Sequence, residues 1–214
     1  PDLGPEESEG SEFGFKGQTE NGSFSLALYD NDYKDFIETQ MTGFTMTGLM
    51  KFVYKNLEDV NIKGTEIKAD YSFSDNFSLK IGFNDSDAEQ NGEVLTTVDP
   101  DQAILGLLWL SDSGKLKVDT YFKATDGSPQ PLTPVCGRTP PCSAPLVLPS
   151  HKIIDTFVSY SFSENLSMRL ALRNITDEKY WNWSDVAGSS ASDSDLDYFL
   201  NTGRNYSLSL KYIF

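Results

Sequence analysis

Three observations predict an all-β fold for this chain, about nine antiparallel strands of a transmembrane β-barrel. The first is the closing segment, residues 204–214. From Tyr206 the side chains alternate: Tyr206, Leu208, Leu210, Tyr212 and Phe214 share one face, and Asn205, Ser207, Ser209 and Lys211 the other. A period of two marks a strand with one apolar face, and about ten residues is the length with which a tilted strand crosses a bilayer. The second is the hydropathy. No run approaches the roughly 18 apolar residues of a membrane-spanning helix, and a mean hydropathy of -0.38 suits strands that turn half their side chains to a wet lumen. The third is a strict alternation of short and long connections, the asymmetry of an outer-membrane barrel. A soluble β-sandwich, the alternative for the last strand taken alone, has no reason to gather its long loops at one end.

In chain order, segment 11–19 leads through the hairpin signal Asn21-Gly22 into a strand over 24–39, where Phe24, Leu26 and Leu28 alternate. A longer loop centred on 42–48 follows. Segment 52–73 runs back with Thr65, Ile67, Ala69, Tyr71 and Phe73 opposite Glu66, Lys68 and Asp70, and 74–76 turns it. Leu79, Ile81 and Phe83 rise into an acidic loop over 84–101. Segment 103–110 is continuously apolar, so periodicity does not give its facing. After a turn at 111–114, Leu116, Val118, Thr120 and Phe122 alternate with Lys117, Asp119 and Tyr121, and a proline-rich loop spans 126–149. Ile154, Thr156, Val158, Tyr160 and Phe162 descend, 163–165 turns, and Met168, Leu170 and Leu172 alternate with Arg169 and Arg173 before a loop over 177–202. Four tight turns thus alternate with four long loops. Single-chain bacterial barrels have even strand numbers, so residues 1–214 are expected to be the C-terminal part of a larger barrel. The rival is a complete small structural or adhesive barrel.

The net charge of -15 argues against nucleic acid as a partner and reads as solvated acidic loops. Cys136 and Cys142 are the only cysteines and flank a segment with two prolines and no histidine. That spacing is a poor zinc site and is expected to form a local disulfide in an oxidising compartment. No export signal is visible at the start of the chain. The single histidine, His151, reads as an ordinary loop residue. No nucleophile motif surrounds it, so the chain is not expected to be an enzyme.

Several blocks resemble the TonB-dependent outer-membrane receptors. They are residues 1–8 with Glu12 and Gly14, the segment 29–37, Asn61-Ile-Lys-Gly-Thr-Glu66, Leu172-Arg-Asn-Ile-Thr-Asp-Glu-Lys-Tyr180, and Gly203-Arg-Asn-Tyr206 with the terminal Phe214. Residues 180–188, Tyr-Trp-Asn-Trp-Ser-Asp-Val-Ala-Gly, are similar to a segment of the haem and haemoglobin receptors in that family, with Ala187 where arginine is usual. The resemblance implies a bacterial outer-membrane barrel of about twenty-two strands that holds an N-terminal plug domain, which is absent from this chain. Its expected cargo is haem, taken in some receptors from a haem-carrying host protein. A ferric siderophore or cobalamin complex is the alternative, and neither is a covalent cofactor. The partners implied are the TonB complex, reached through the absent N-terminal region, the barrel assembly machinery and outer-membrane lipids. Trp181, Trp183, Tyr198 and Phe199 are the candidate ligand-binding residues, against which stands plain loop packing. Tyr206, Leu208, Leu210, Tyr212 and Phe214 are the residues expected to close and assemble the barrel.

Overall fold

The computed structural model describes residues 3–44, 46, 50–95, 98–128, 146–186, 189, 191 and 194–214. Nine strands form one antiparallel sheet in chain order: β1 (Glu7–Thr19), β2 (Gly22–Lys34), β5 (Val60–Ser72), β6 (Phe77–Gln90), β8 (Gln102–Leu110), β9 (Leu116–Thr125), β10 (His151–Ser161), β11 (Leu166–Arg173) and β12 (Asn205–Tyr212). β7 (Glu93–Leu95) adds to β6, while β3 (Phe36–Phe44) and β4 (Met50–Leu57) form a separate ribbon. The sheet does not close on itself, because β1 and β12 are each paired on one side only.

The register carries the sequence alternation across all nine strands. One row reads Gly17, Phe24, Ala69, Ile81, Leu105, Phe122 and Ile154; another reads Trp109, Val118, Val158, Leu170 and Leu208. These rows make one continuous apolar face, which is bare: Leu105 is 47% exposed and Leu208 63%. Tyr206, Leu210, Tyr212 and Phe214 stand exposed on the same face. An apolar face of this extent left uncovered is the lipid-facing wall of a barrel. The opposite rows carry the polar groups, for example Gln18, Ser23, Asp70, Lys80, Gly106, Tyr121 and Asp155. They form the lumen wall. Register also settles the facing of β8: Ala103, Leu105, Leu107 and Trp109 point outward, and Ile104, Gly106 and Leu108 inward. Gly106 is needed there, since a Cβ would lie 2.8 Å from the Tyr121 ring.

Three expectations are corrected. The strands expected over 24–39 and 52–73 are each broken, at Asp35 and Asp59, whose φ angles are +54° and +52°. Both residues sit at one level, between the pairs Tyr33–Val60 and Phe36–Leu57, so the hairpin bends there as a unit. Asn56 fixes the bend. Its amide donates to the carbonyls of Asp35 (2.6 Å) and Gly4 (3.2 Å), and its oxygen accepts the Gly4 N–H (2.8 Å). Second, the segment expected to be an acidic loop is strand through Gln90, then turns through Asn91 and Gly92, with φ of +51° and +80°, into β7. Two left-handed residues are what a two-residue hairpin turn demands, and Asn-Gly supplies them. Third, His151 is not a loop residue. It opens β10, opposite Thr125 of β9. Cys136 and Cys142 lie outside the described residues.

Candidate functional site at the loop end

The spacing of polar residues within 172–180 has a local physical cause. Asn174 is buried at 3% exposure with φ +48°. Its side-chain oxygen accepts the Glu178 N–H (2.9 Å), its amide donates to the Glu178 carbonyl (2.9 Å), and its own N–H donates to the Asp155 carboxylate (2.8 Å). An asparagine does this readily, because its short amide mimics backbone and tolerates the left-handed region. Asp177, also left-handed at φ +59°, accepts the Arg204 N–H at 2.8 Å. The two blocks that bracket the loop are thereby stitched together, and the Asn201 N–H donates to the Tyr180 carbonyl (2.9 Å) one step further out.

Above this stitch lies a small apolar cluster. Leu146, Leu148 and Val186 are buried, and Trp181, Trp183 and Leu196 pack against them. Val186 ends the short helix α1 (Trp183–Val186), and Leu196 opens a 3-10 turn (Leu196–Phe199). The Trp181 indole N–H donates to the Leu196 carbonyl (2.9 Å), so the partly buried ring keeps its polar atom satisfied. Tyr180 stacks on His151 with ring centroids 4.3 Å apart and planes 20° from parallel.

These groups wall a cavity of about 480 Å³, whose lining includes His151, Tyr180, Trp181, Trp183, Asp99 and Asp126. A second cavity of about 480 Å³ adjoins it and shares Trp183, Asp99 and Asp126. Asp101 lines only the second; burial raises its pKa, opposed by the hydrogen bond it accepts from the Ser86 N–H. Burial, and then the charge of Asp155, raise the Tyr180 phenol. Lys123 reaches the first cavity but is tied to Asp155 at 3.0 Å. Among the described residues, no group of His, Cys, Asp and Glu side chains is arranged to hold a metal ion. The arrangement is a flat aromatic recess edged by carboxylates, which suits noncovalent binding of a small molecule.

The structure brings Trp181 and Trp183 into this recess. Tyr198 (86% exposed) and Phe199 (45%) lie on the 3-10 turn and do not line it. The His151–Tyr180 pair and the carboxylates of 99 and 126 escape sequence reasoning. Nothing local links them, and only the register of β9 with β10 sets His151 at the rim.

Solved structures share the fold at low identity. The copper transporter OprC superposes with a TM-score of 0.79 at 15% identity, over 99% of this chain and 32% of its own. The pyoverdine outer membrane receptor FpvA from Pseudomonas aeruginosa PAO1 gives 0.75 at 19% identity, over 99% and 30%. The siderophore receptor PirA from Acinetobacter baumannii gives 0.68 at 22% identity, over 99% and 32%. The chain therefore spans about a third of the length of the structures it matches. No curated protein matches its sequence significantly. The model for the family described as "TonB dependent receptor-like, beta-barrel" matches residues 1–175, and this chain belongs to the TonB-dependent receptor β-barrel family.

Proposed function

We propose that this chain is the C-terminal arc of a bacterial outer-membrane receptor that imports an iron or other metal chelate, driven by TonB, and that capture occurs at the loop end. The observation that carries this reading is the recess between the loops. Its aromatic side chains are Tyr180, Trp181, Trp183 and His151, and it opens at the end of the barrel opposite the short turns. Flat aromatic faces bind flat or ring-bearing ligands with little ordering cost. The haem reading rests on residues 180–188, whose first four members include three of those rings. The ferric-siderophore reading is supported by the receptors for pyoverdine and other siderophores among the similar structures. Growth of a receptor-null strain carrying the full-length gene separates the two. Rescue on haem as sole iron source supports the first, whereas rescue only on a ferric siderophore supports the second. Failure on every metal chelate, with the receptor folded in the membrane, would contradict the transport reading itself.

A further inference from the structure

The two adjoining cavities of the loop end differ in charge. The first holds most of the rings, and neither basic group that lines it is a free cation. Lys123 is tied to Asp155 at 3.0 Å, and burial holds the His151 imidazole below its ordinary pKa, against the opposing charge of Glu178. The second cavity is lined by Asp87, Asp99, Asp101 and Asp126 and, among the described residues, by no lysine, arginine or histidine. None of these carboxylates forms an ion pair with a described residue. Two of them are positioned by the backbone. The Asp126 N–H donates to the Asp101 carbonyl (2.9 Å), which carries the β8–β9 ladder one pair beyond Gln102–Thr125, and the Asp101 carboxylate accepts the Ser86 N–H (3.3 Å). After burial, the charges of Asp85 and Asp126 also raise the Asp101 pKa. Trp183 stands between the two cavities and packs against Leu146, Leu148 and Val186.

We propose that the two cavities are one site, in which the ring-lined part takes the body of the metal chelate and the carboxylate-lined part takes a protonated amine or guanidinium arm of the same ligand, held over Trp183. The proposal rests on reading the recess as the place of capture. Three arguments select an organic cation. Like charges gathered around one cavity repel one another, and a cationic ligand relieves that repulsion. The face of a tryptophan attracts a cation through the ring quadrupole. Among the described residues the carboxylates are not arranged to hold a metal ion, so the fitting cation is one whose donors reach carboxylates set apart, as the planar fork of a guanidinium does. An anionic arm, such as a haem propionate, would instead meet Asp99 and Asp126 with no free cation beside them among the described residues.

The test uses purified full-length receptor and a series of flat probes of nearly one shape: benzamidine, which is cationic, benzamide, which is neutral, and benzoate, which is anionic. Binding is read by ligand-observed NMR. Benzamidine is expected to bind on the order of tenfold more tightly than the other two, and a D99N/D126N receptor of normal heat-modifiability is expected to lose that preference. Should this variant assemble poorly, raising the salt concentration with unsubstituted receptor must weaken benzamidine binding and leave benzamide unchanged, since exposed charges are screened. Equal binding of the three probes, no binding of benzamidine, or a preference indifferent to both charge removal and salt would overturn the proposal. Growth on metal chelates is scored in parallel. A chelate that rescues growth is expected to carry a cationic group and to lose affinity on the order of tenfold when that group is neutralised, as by acetylation of an amine. Rescue by haem alone, which carries no such group, would overturn the proposal and leave the transport reading intact. Failure on every chelate with the benzamidine preference intact faults the transport reading and leaves the cation site standing.

Discussion

The two ends of this sheet are built on different principles. At the turn end, two connections repeat one local design. The Ser74 hydroxyl accepts the N–H groups of Asn76 (3.3 Å) and Phe77 (3.1 Å), and the Ser163 hydroxyl accepts those of Asn165 (3.3 Å) and Leu166 (3.1 Å). Each asparagine then reaches past its own hairpin to a neighbouring segment: Asn76 donates to the Leu110 carbonyl (2.8 Å) and Asn165 to that of Ile213 (2.9 Å). Serine and asparagine at fixed offsets close a turn from within and tie it to the next strand. At the loop end the decisive bonds tie one part of a long connection to another, as from Arg204 to Asp177 and from Trp181 to Leu196, and a separate apolar cluster holds the loops. One end is specified to assemble the wall. The other is a small folded unit carried on it, free to specialise without disturbing the wall.

The contrast is broken most violently by inserting one residue between Ser207 and Leu208. Every later side chain of β12 then changes face, so Lys211 enters lipid while Leu208 and Leu210 enter the lumen. A lysine turned outward at the turn end of the strand, near the interface, costs only about 0–1 kcal/mol, whereas each apolar side chain moved into water costs roughly 1.5–3 kcal/mol. Heat-modifiable receptor in outer membranes is expected to fall to near zero. Deleting Phe214 alone, exposed at the end of the same stripe, is the milder form and is expected to lower folded receptor without affecting uptake per folded molecule.

A smaller effect tests facing within one apolar run. Leu105→Lys places a charge on the outer face and is expected to destabilise by about 2–4 kcal/mol in a detergent or urea titration. Leu108→Lys points inward, beside Asp119 of β9, and is expected to cost well under half as much. Equal costs would mean that β8 has been placed in the wrong register. The smallest expected effect on assembly, with the largest contrast in function, comes from Trp181→Ala. It removes a ring of the recess and the bond to the Leu196 carbonyl, loosening the loop by about 1–3 kcal/mol. Folded receptor should stay at normal levels while affinity for the proposed metal-chelate ligand, read by ligand titration of purified receptor, drops. A matching fall in both would mean that the loop cluster is part of the assembly machinery of the wall.

How far the sequence could be read follows the same division. The wall was legible because alternation is local: Leu79, Ile81 and Phe83 need no partner to declare a face, and the tight turns announce themselves by Ser, Asn and Gly. The apolar run of β8 was illegible for the converse reason, since both faces carry apolar side chains and only the pairing of Ile81 with Leu105 and of Leu105 with Phe122 decides. The breaks at Asp35 and Asp59 escape notice because a left-handed aspartate in a long polar strand has no distinctive neighbours, and the clip that holds it, Asn56, is 21 residues from Asp35. Asn91-Gly92 did carry a hairpin signal, hidden inside a run of charges that reads as loop. At the recess, Trp181 and Trp183 stood out as tryptophans in a loop. Their neighbours come from elsewhere in the chain, His151 from the start of β10 and Asp99 and Asp126 from other connections, and only the folded register assembles them.

The central claim is that this chain is a membrane-barrel wall with an odd-numbered lipid face and an even-numbered lumen face along β8, reversed in parity on β9 and β12. Nitroxide labels at Leu105, Phe122 and Leu208, compared with labels at Tyr121, Lys123 and Ser209, test it directly in full-length receptor reconstituted into bilayers. Collision rates with oxygen, which concentrates in lipid, and with a water-soluble nickel chelate report the surroundings of each label. The account predicts oxygen-dominated relaxation at the first set and no such dominance at the second. Chelate-dominated relaxation at Leu105, Phe122 and Leu208 would show that the apolar face meets water or protein, and the barrel assignment would fall with it.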